Sequence, residues 1–108
     1  MKYSNGDLYK GYFKDGLSHG HGLLKQGNFT ASSASIYIGE WNAGNKNGYG
    51  LMNDIVNGEK YLGHWSDNKK HGKGLIVTSD GLYYEGIFNQ DILVVSVDSN
   101  NLYQNRVW

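Results

Sequence analysis

Tyr61–Leu75 reads YLGHWSDNKKHGKGL, and the architecture of the whole chain follows from this stretch. Its first block, tyrosine–x–glycine–x–aromatic, recurs at 9–13 (YKGYF), 37–41 (YIGEW) and 84–88 (YEGIF), so that successive tyrosines are 28, 24 and 23 residues apart. Its second block, HGKGL, has counterparts in the two preceding units, and each begins 10 residues after its tyrosine. A fixed offset over three copies identifies an internal repeat.

Each unit is predicted to form one β-hairpin. Side chains alternate along a strand, so the tyrosine, the glycine and the second aromatic share one face. Polar residues such as 14–16 form the turn. Asn-Gly or Asp-Gly pairs at 5–6, 57–58 and 80–81 are hairpin signals, because a primed turn requires positive φ. The Ser-rich connection at 27–35 is longer and is expected to be an exposed loop.

The second strand of each unit carries Gly-x-Gly followed by an apolar residue, and alternation predicts that both glycines lie on one face. We expect aromatic rings of one strand to lie over glycines of the next, which compensates for the weakness that glycine brings to a strand. No segment combines a cap with apolar residues at helical spacing. The sequence therefore predicts an all-β fold, a single elongated antiparallel meander of consecutive β-hairpins.

Residues 1–90 are predicted to hold about three and a half to four repeat units. The units start near Tyr9, Tyr37, Tyr61 and Tyr84. Residues 91–108 are predicted to form a degenerate C-terminal strand pair, because the fourth unit lacks its glycine pair. Repeat arrays need polar terminal caps, and a chain that ends on Trp108 has none. The simplest interpretation is therefore a piece of a longer protein.

The C-terminal segment 93–97 (LVVSV) is apolar and largely β-branched, without charge or proline, which is typical of an adhesive edge strand. Only Asp91 and Asp98 flank it as charged gatekeepers. We expect the chain to self-associate through this strand. Val95→Lys is predicted to weaken that association.

Composition narrows the classes of function. The 108 residues suffice for one domain, and the absence of cysteine excludes disulfides and a cysteine nucleophile. Ten basic residues balance ten acidic ones, which argues against nucleic acid as a partner. No apolar run is long enough to span a membrane, and residues 1–6 show no signal-peptide pattern, so a cytoplasmic location is expected.

No catalytic, cofactor-binding or metal-binding residue is predicted. His19 and His21 share a strand face, but Asn47 takes the place of His19 in the next unit. A residue type set by its position in the repeat is expected to pack or close the hairpin rather than bind metal. No serine lies in a Gly-x-Ser-x-Gly elbow. The glycine pairs lack the following helix that a phosphate loop needs.

These blocks and their spacing resemble the MORN repeat family (membrane occupation and recognition nexus). Its unit runs Tyr-x-Gly-x-Trp/Phe, a polar turn, and His/Asn-Gly-x-Gly-x-apolar. The resemblance covers roughly residues 3–90. It implies a twisted meander of hairpins that serves as a non-catalytic protein-interaction or assembly module.

Residues 19–24 (HGHGLL), 58–61 (GEKY) and 81–86 (GLYYEG), with the Ser-rich insertion, are similar to the MORN segment of alsin-like Rab guanine nucleotide exchange factors. This resemblance implies self-association and support for the activation of an early-endosomal Rab GTPase, with a peripheral position on early endosomes. The exchange domain of that subgroup is absent from this segment, so the chain itself is not expected to catalyse exchange. The alternative is a peripheral phosphoinositide-binding module that associates with membranes.

Two groups of side chains are candidate partner contacts. Most rings of the aromatic ladder are expected to pack over glycine, and some to line a groove for a protein partner. The ladder consists of Tyr9, Phe13, Tyr37, Trp41, Tyr61, Trp65, Tyr84 and Phe88. The candidate lipid contacts are Lys69, Lys70 and Lys73. Only weak contact with anionic lipid is expected, because each lysine contributes about 1 kcal/mol at such a membrane.

Overall fold

A computed structural model describes residues 7–27, 34–96 and 105–106. They form one antiparallel sheet in which strands β1 to β8 follow each other in chain order, while β9 pairs with β7. The strands are β1 (Leu8–Lys14), β2 (Leu17–Gln26), β3 (Ser35–Asn42), β4 (Asn45–Asp54), β5 (Glu59–Ser66), β6 (Lys69–Val77), β7 (Leu82–Asn89), β8 (Ile92–Ser96) and β9 (Asn105–Arg106). None of the described residues is helical. The predicted all-β meander is confirmed.

Two-residue turns join the two strands of each unit. They lie at 15–16, 43–44, 67–68 and 90–91, and both residues of each have positive φ. This is type I′ geometry, which matches the right-handed twist of the strands. Of the pairs predicted to mark such turns, Asn57-Gly58 and Asp80-Gly81 lie instead in four-residue connections between units, 55–58 and 78–81, where only the glycine has positive φ. The pair at 5–6 lies outside the described residues. Side-chain bonds organise these longer connections, including one from the Asn57 backbone N–H to Asp54 Oδ1 at 3.2 Å.

A row of glycines crosses the middle of the sheet, one from each strand from β1 to β7. In order, it contains Gly11, Gly22, Gly39, Gly50, Gly63, Gly74 and Gly86. The tyrosine of each of the first three units lies over the glycine of the following strand. A Cβ atom at Gly22 would lie 2.6 Å from Cε1 of Tyr9, and the next two units repeat this arrangement. The predicted packing of rings over glycines is therefore confirmed.

The first glycine of each Gly-x-Gly block points to the other face of the sheet. Gly20, Gly48 and Gly72 have φ values of +77°, +103° and +88°. A Cβ atom at Gly72 would face the His64 side chain, whereas one at Gly74 would collide with the Tyr61 ring. The prediction that both glycines share a face is wrong, because a register shift in each block reverses the alternation.

The sheet is a single layer with two dissimilar faces. Its core face carries the tyrosines and second aromatics over the glycine row, with Leu24, Met52 and Tyr84 packed against them. Its open face carries the residue that follows each tyrosine, such as Ile38, 50% exposed, and Leu62, 37% exposed. The two faces are the candidate surfaces for any partner.

Candidate functional site

The aromatic rings of the core face form a continuous chain of edge-to-face contacts. Successive ring centroids lie 5.0 to 5.4 Å apart, in the favoured T-shaped arrangement. The order of contacts is Phe13, Tyr9, Trp41, Tyr37, Trp65, Tyr61 and Phe88. The second aromatic of a unit thus lies between its own tyrosine and that of the preceding unit. Contacts within a unit therefore alternate with contacts between neighbouring units, and the latter tie the units together.

The polar tips of these rings bond to the backbone. The hydroxyls of Tyr9, Tyr37 and Tyr61 each donate to the carbonyl three residues further on, at 2.9, 2.9 and 3.0 Å. Trp41 Nε1–H donates to the Gly22 carbonyl at 3.0 Å, and Trp65 makes the equivalent bond one unit later. Burial raises the pKa of Tyr61 to about 12, with smaller effects from the charges of Asp91 and Tyr49. These rings are fixed parts of the core.

The candidate partner residues of the aromatic ladder differ in accessibility. Buried members are Tyr9, Tyr37, Trp41, Tyr61, Trp65 and Phe88. Tyr84 is half-buried, and Phe13 is 45% exposed. The ladder was expected to be largely buried, and its role as a groove for a protein partner stays a prediction. Phe13 and Tyr84 are its members with accessible surface.

The three candidate lipid-contact lysines do not form one patch. Lys70 lies on the core face with its Nζ 5.3 Å from the Tyr61 ring centroid and 6.0 Å from that of Phe88. Lys73 is exposed on the open face, where it lines a cavity with Tyr49 and other side chains. Lys69 is exposed beside the turn. Lipid contact through these residues stays a prediction.

Sequence reasoning missed a cation–π position on the core face. Lys46 Nζ lies 5.6 Å from the Tyr37 ring centroid and 5.4 Å from that of Trp65, as Lys70 does one unit later. Burial lowers the pKa of Lys46, and the Asp91 carboxylate opposes this shift. Both lysines follow their unit's tyrosine by nine residues, and this common offset was the available signal.

The turns of the second, third and fourth units each bond to the unit before them. The N–H groups of Gly44, Asn68 and Asp91 donate to the carbonyls of Ser18, Lys46 and Lys70, at 2.9, 3.0 and 2.9 Å. Side chains close the same contacts: Asn68 Oδ1 accepts from the Lys46 N–H at 2.8 Å. His19 Nδ1 accepts from the Ala43 N–H at 3.4 Å, which agrees with a packing role for that histidine.

The open face carries a row of aliphatic side chains that lie in register on five consecutive strands. This aliphatic row consists of Leu23, Ile38, Leu51, Leu62 and Leu75 on β2 to β6. Lys10 on β1 pairs with one end of the row, and Glu85 on β7 pairs with the other. Both end residues are exposed, and all members of the row keep some accessible surface. A partly exposed apolar stripe with charged residues at its ends has the composition of a protein-binding patch.

The open face also has a cavity of about 320 Å³ at the end of the aliphatic row. Tyr49, His64, Lys73 and Glu85 line it together with leucine side chains. The Tyr49 and His64 rings contact each other edge to face at 5.3 Å. Among the described residues no group of three or more His, Asp or Glu side chains could hold a metal ion. Nor does that part of the chain contain a helix able to cross a membrane.

A meander of hairpins whose aromatic rings pack over a row of glycines is a repeat module. The MORN repeat pattern matches residues 9–29, 37–52 and 61–83. The chain belongs to the MORN repeat family. A module of such repeats is not catalytic. The unit predicted to start near Tyr84 follows the last matched residue.

Within this family the chain is similar to alsin. It is 49% identical over 87 residues to alsin from Rattus norvegicus, Mus musculus and Homo sapiens. The aligned region covers 81% of this chain, and the chain spans about 5% of the length of these relatives. The resemblance to a MORN segment of alsin-like proteins is therefore confirmed, and the chain is a repeat module of an alsin-like protein.

Proposed function

We propose that this chain is the protein-interaction and assembly module of an alsin-like exchange factor, and that it supports activation of an early-endosomal Rab GTPase. The aliphatic row on the open face carries this proposal. It leaves a stripe of apolar surface exposed on a sheet whose aromatic side chains are largely committed to the core. Similarity to alsin supports the link to exchange, and a cytoplasmic position at the early endosome belongs to the same proposal.

The module acts through its surface and not through chemistry. Its rings and lysines on the core face are engaged in packing, in hydrogen bonds to backbone carbonyls and in cation–π contacts. The open face offers aliphatic side chains with polar groups at the rim, the composition of a protein-binding patch. Such a module holds the exchange factor in a productive arrangement while other segments perform exchange.

The test is made in the alsin-like protein that carries this segment. Ile38→Asp with Leu62→Asp places two charges on the aliphatic row, and we expect at least a tenfold loss of nucleotide exchange on the early-endosomal GTPase. Ile55→Asp with Val56→Asp is the matched control, since these side chains are 38% and 45% exposed in a loop. Unchanged exchange in the first variant, with folding intact by circular dichroism, would contradict the proposal.

Phosphoinositide binding is the second candidate, and it is favoured by the exposed Lys69 and Lys73. Two lysines supply about 2 kcal/mol at an anionic membrane, enough for weak peripheral contact only. The test is co-sedimentation with vesicles that contain phosphatidylinositol phosphate. We expect binding to fade as salt rises, and to be lost in Lys69→Ala with Lys73→Ala. Binding that survives high salt, or that this double variant retains, would rule out these lysines.

A further inference from the structure

We propose that the open face is the surface on which two copies of this chain pair, face to face and with their strand orders reversed. The proposal rests on the proposed function, because it names the partner of the aliphatic row. It differs from association through the C-terminal edge strand, in which the sheet would be extended by hydrogen bonds. Here the two sheets stack and bury their aliphatic rows against each other.

The arrangement of charges along the row points to a second copy as the occupant. From β1 to β7 the row reads Lys10, Leu23, Ile38, Leu51, Leu62, Leu75, Glu85. Leu51 is at its centre, and the two charges at its ends have opposite sign. Rotation of a second copy by 180° about an axis along β4 places Leu51 on its own counterpart and Lys10 opposite Glu85. Because the interface is isologous, this ion pair forms twice.

The neighbouring row on the open face is compatible with the same axis. From β1 to β7 it reads Tyr12, His21, Glu40, Tyr49, His64, Lys73, Ile87. The rotation puts Glu40 opposite His64 and Tyr12 opposite Ile87, while Tyr49 meets its counterpart. His21 meets Lys73. Within these two rows no carboxylate faces a carboxylate, and no lysine faces a lysine.

The other way of stacking two copies is unfavourable. An axis along the row itself would keep the strand order, so that Lys10 faces Lys10 and Glu85 faces Glu85. Like charges at both ends of the row would oppose this arrangement, and the same residues favour the reversed one. The charges at the ends of the row therefore select the orientation, while the aliphatic row supplies the apolar contact.

The dimensions suit a pair of stacked sheets. Seven strands at about 4.8 Å spacing make a row about 29 Å long. Aligned sheets stack about 10 Å apart, a distance that aliphatic side chains fill. With the neighbouring row the patch is about 14 Å wide and covers roughly 400 Å² of the sheet, about half of the roughly 800 Å² per partner that a standard protein interface uses. A patch of this size is expected to give a weak, reversible dimer.

Sedimentation velocity of this chain over about 1–100 µM tests the pairing, with reciprocal charge variants as the main probe. Lys10→Glu alone and Glu85→Lys alone each create two like-charge contacts, and we expect each to raise the dimer Kd about tenfold. The double variant restores both ion pairs with reversed sign and is expected to return within about threefold of the original Kd. Glu59→Lys is the matched control, because Glu59 is exposed on the core-face side and its change leaves the dimer unaltered.

Leu51→Asp gives a second, independent readout. Its carboxylate would meet its own counterpart on the axis, so we expect a monomer, with circular dichroism confirming that the sheet remains. The proposal is overturned if the original chain is monomeric throughout, or if the double charge variant is no tighter than the single ones. A dimer that ignores the charge variants but is lost in Val95→Lys would assign the association to the edge strand instead. These outcomes are distinct from failure of the proposed function, which is measured by exchange in the parent protein.

Discussion

Phe13 and Trp41 occupy the same place in successive units, yet their surroundings differ. Phe13 is 45% exposed and contacts the Tyr9 ring of its own unit. Trp41 is 6% exposed, contacts both Tyr9 and Tyr37, and donates its indole N–H to the Gly22 carbonyl. No described unit precedes Phe13. The difference shows that a unit's second aromatic is buried by the unit before it, so stability lies largely in the interfaces between units.

The largest effect is expected from truncating an interior second aromatic. Trp65→Ala removes a buried ring and leaves a cavity between two tyrosines, which is expected to lower the free energy of unfolding by about 3–5 kcal/mol. Phe13→Ala is its matched control and is expected to cost about 1 kcal/mol, because that ring is half in water already. Urea unfolding followed by circular dichroism measures both. Equal losses would show that the first unit is as tightly bound as the interior ones.

A methyl group added to the glycine row is expected to be nearly as disruptive. In Gly50→Ala the new Cβ would lie 2.5 Å from Cε1 of Tyr37, so the ring must move at a cost of about 1–3 kcal/mol. Gly16→Asn is the control, since it lies in a turn at φ +78° with open space around it, and Asn68 holds the equivalent place two units later. Thermal unfolding compares the two. A stable Gly50→Ala protein would mean that the ring contact is loose.

The tyrosines of the first two units, unlike their second aromatics, have equivalent surroundings. Tyr9 and Tyr37 make equivalent bonds of 2.9 Å and are both buried, although Tyr9 belongs to the first unit. We therefore expect Tyr9→Phe and Tyr37→Phe to cost the same, about 1 kcal/mol each. Tyr12→Phe, at a side chain 70% exposed, is expected to have almost no effect. A much smaller loss for Tyr9→Phe would mean that the whole first unit, and not only Phe13, is weakly held.

The last effect is expected only at alkaline pH. Burial raises the pKa of Tyr61 from 10.0 to about 12, so the folded chain holds this proton more tightly than the unfolded one. The resulting contribution to stability is complete below about pH 10 and is lost as the pH rises towards about 12. We expect Tyr61→Phe to lose less stability than the original chain over this interval, in urea titrations at successive pH values. If the free energy of unfolding changed with pH in the same way in both proteins, the raised pKa of Tyr61 would be contradicted.

The core face could be predicted because its pattern is local and repeated. Tyr9 and Gly22 stand at a fixed offset, as do Tyr37 and Gly50, and a ring over a glycine follows from strand pairing alone. The positive φ of Gly20 could not be predicted, because it depends on a register shift that sequence spacing does not reveal. The two-residue turns were also missed as primed turns, since only one of the four, Asp15-Gly16, has the Asp-Gly or Asn-Gly composition that signals them.

The open face was harder to anticipate. Ile38 and Leu62 follow their tyrosines directly, and Leu51 follows a glycine pair, but only the register across strands places them in one row. The lysines were grouped wrongly for a simpler reason. Lys70 and Lys73 are close in sequence and were grouped as one basic cluster, yet residues three apart on a strand point to opposite faces, and the two lysines lie on opposite faces of the sheet. Surfaces made by pairing across strands are the part that a one-dimensional pattern conceals.

The order of the strands has a mechanical consequence. The strands β1 to β8 follow one another in sequence. A force applied between Leu8 and Ser96 therefore acts across the strands, and the backbone hydrogen bonds between them break one after another. A sheet loaded in this way unzips at low force instead of shearing as a block. Each unit of 23 or 24 residues would add roughly 80 Å of extended chain length as it unfolded. In a longer protein such an array would act as a soft, extensible tether whose units yield one after another.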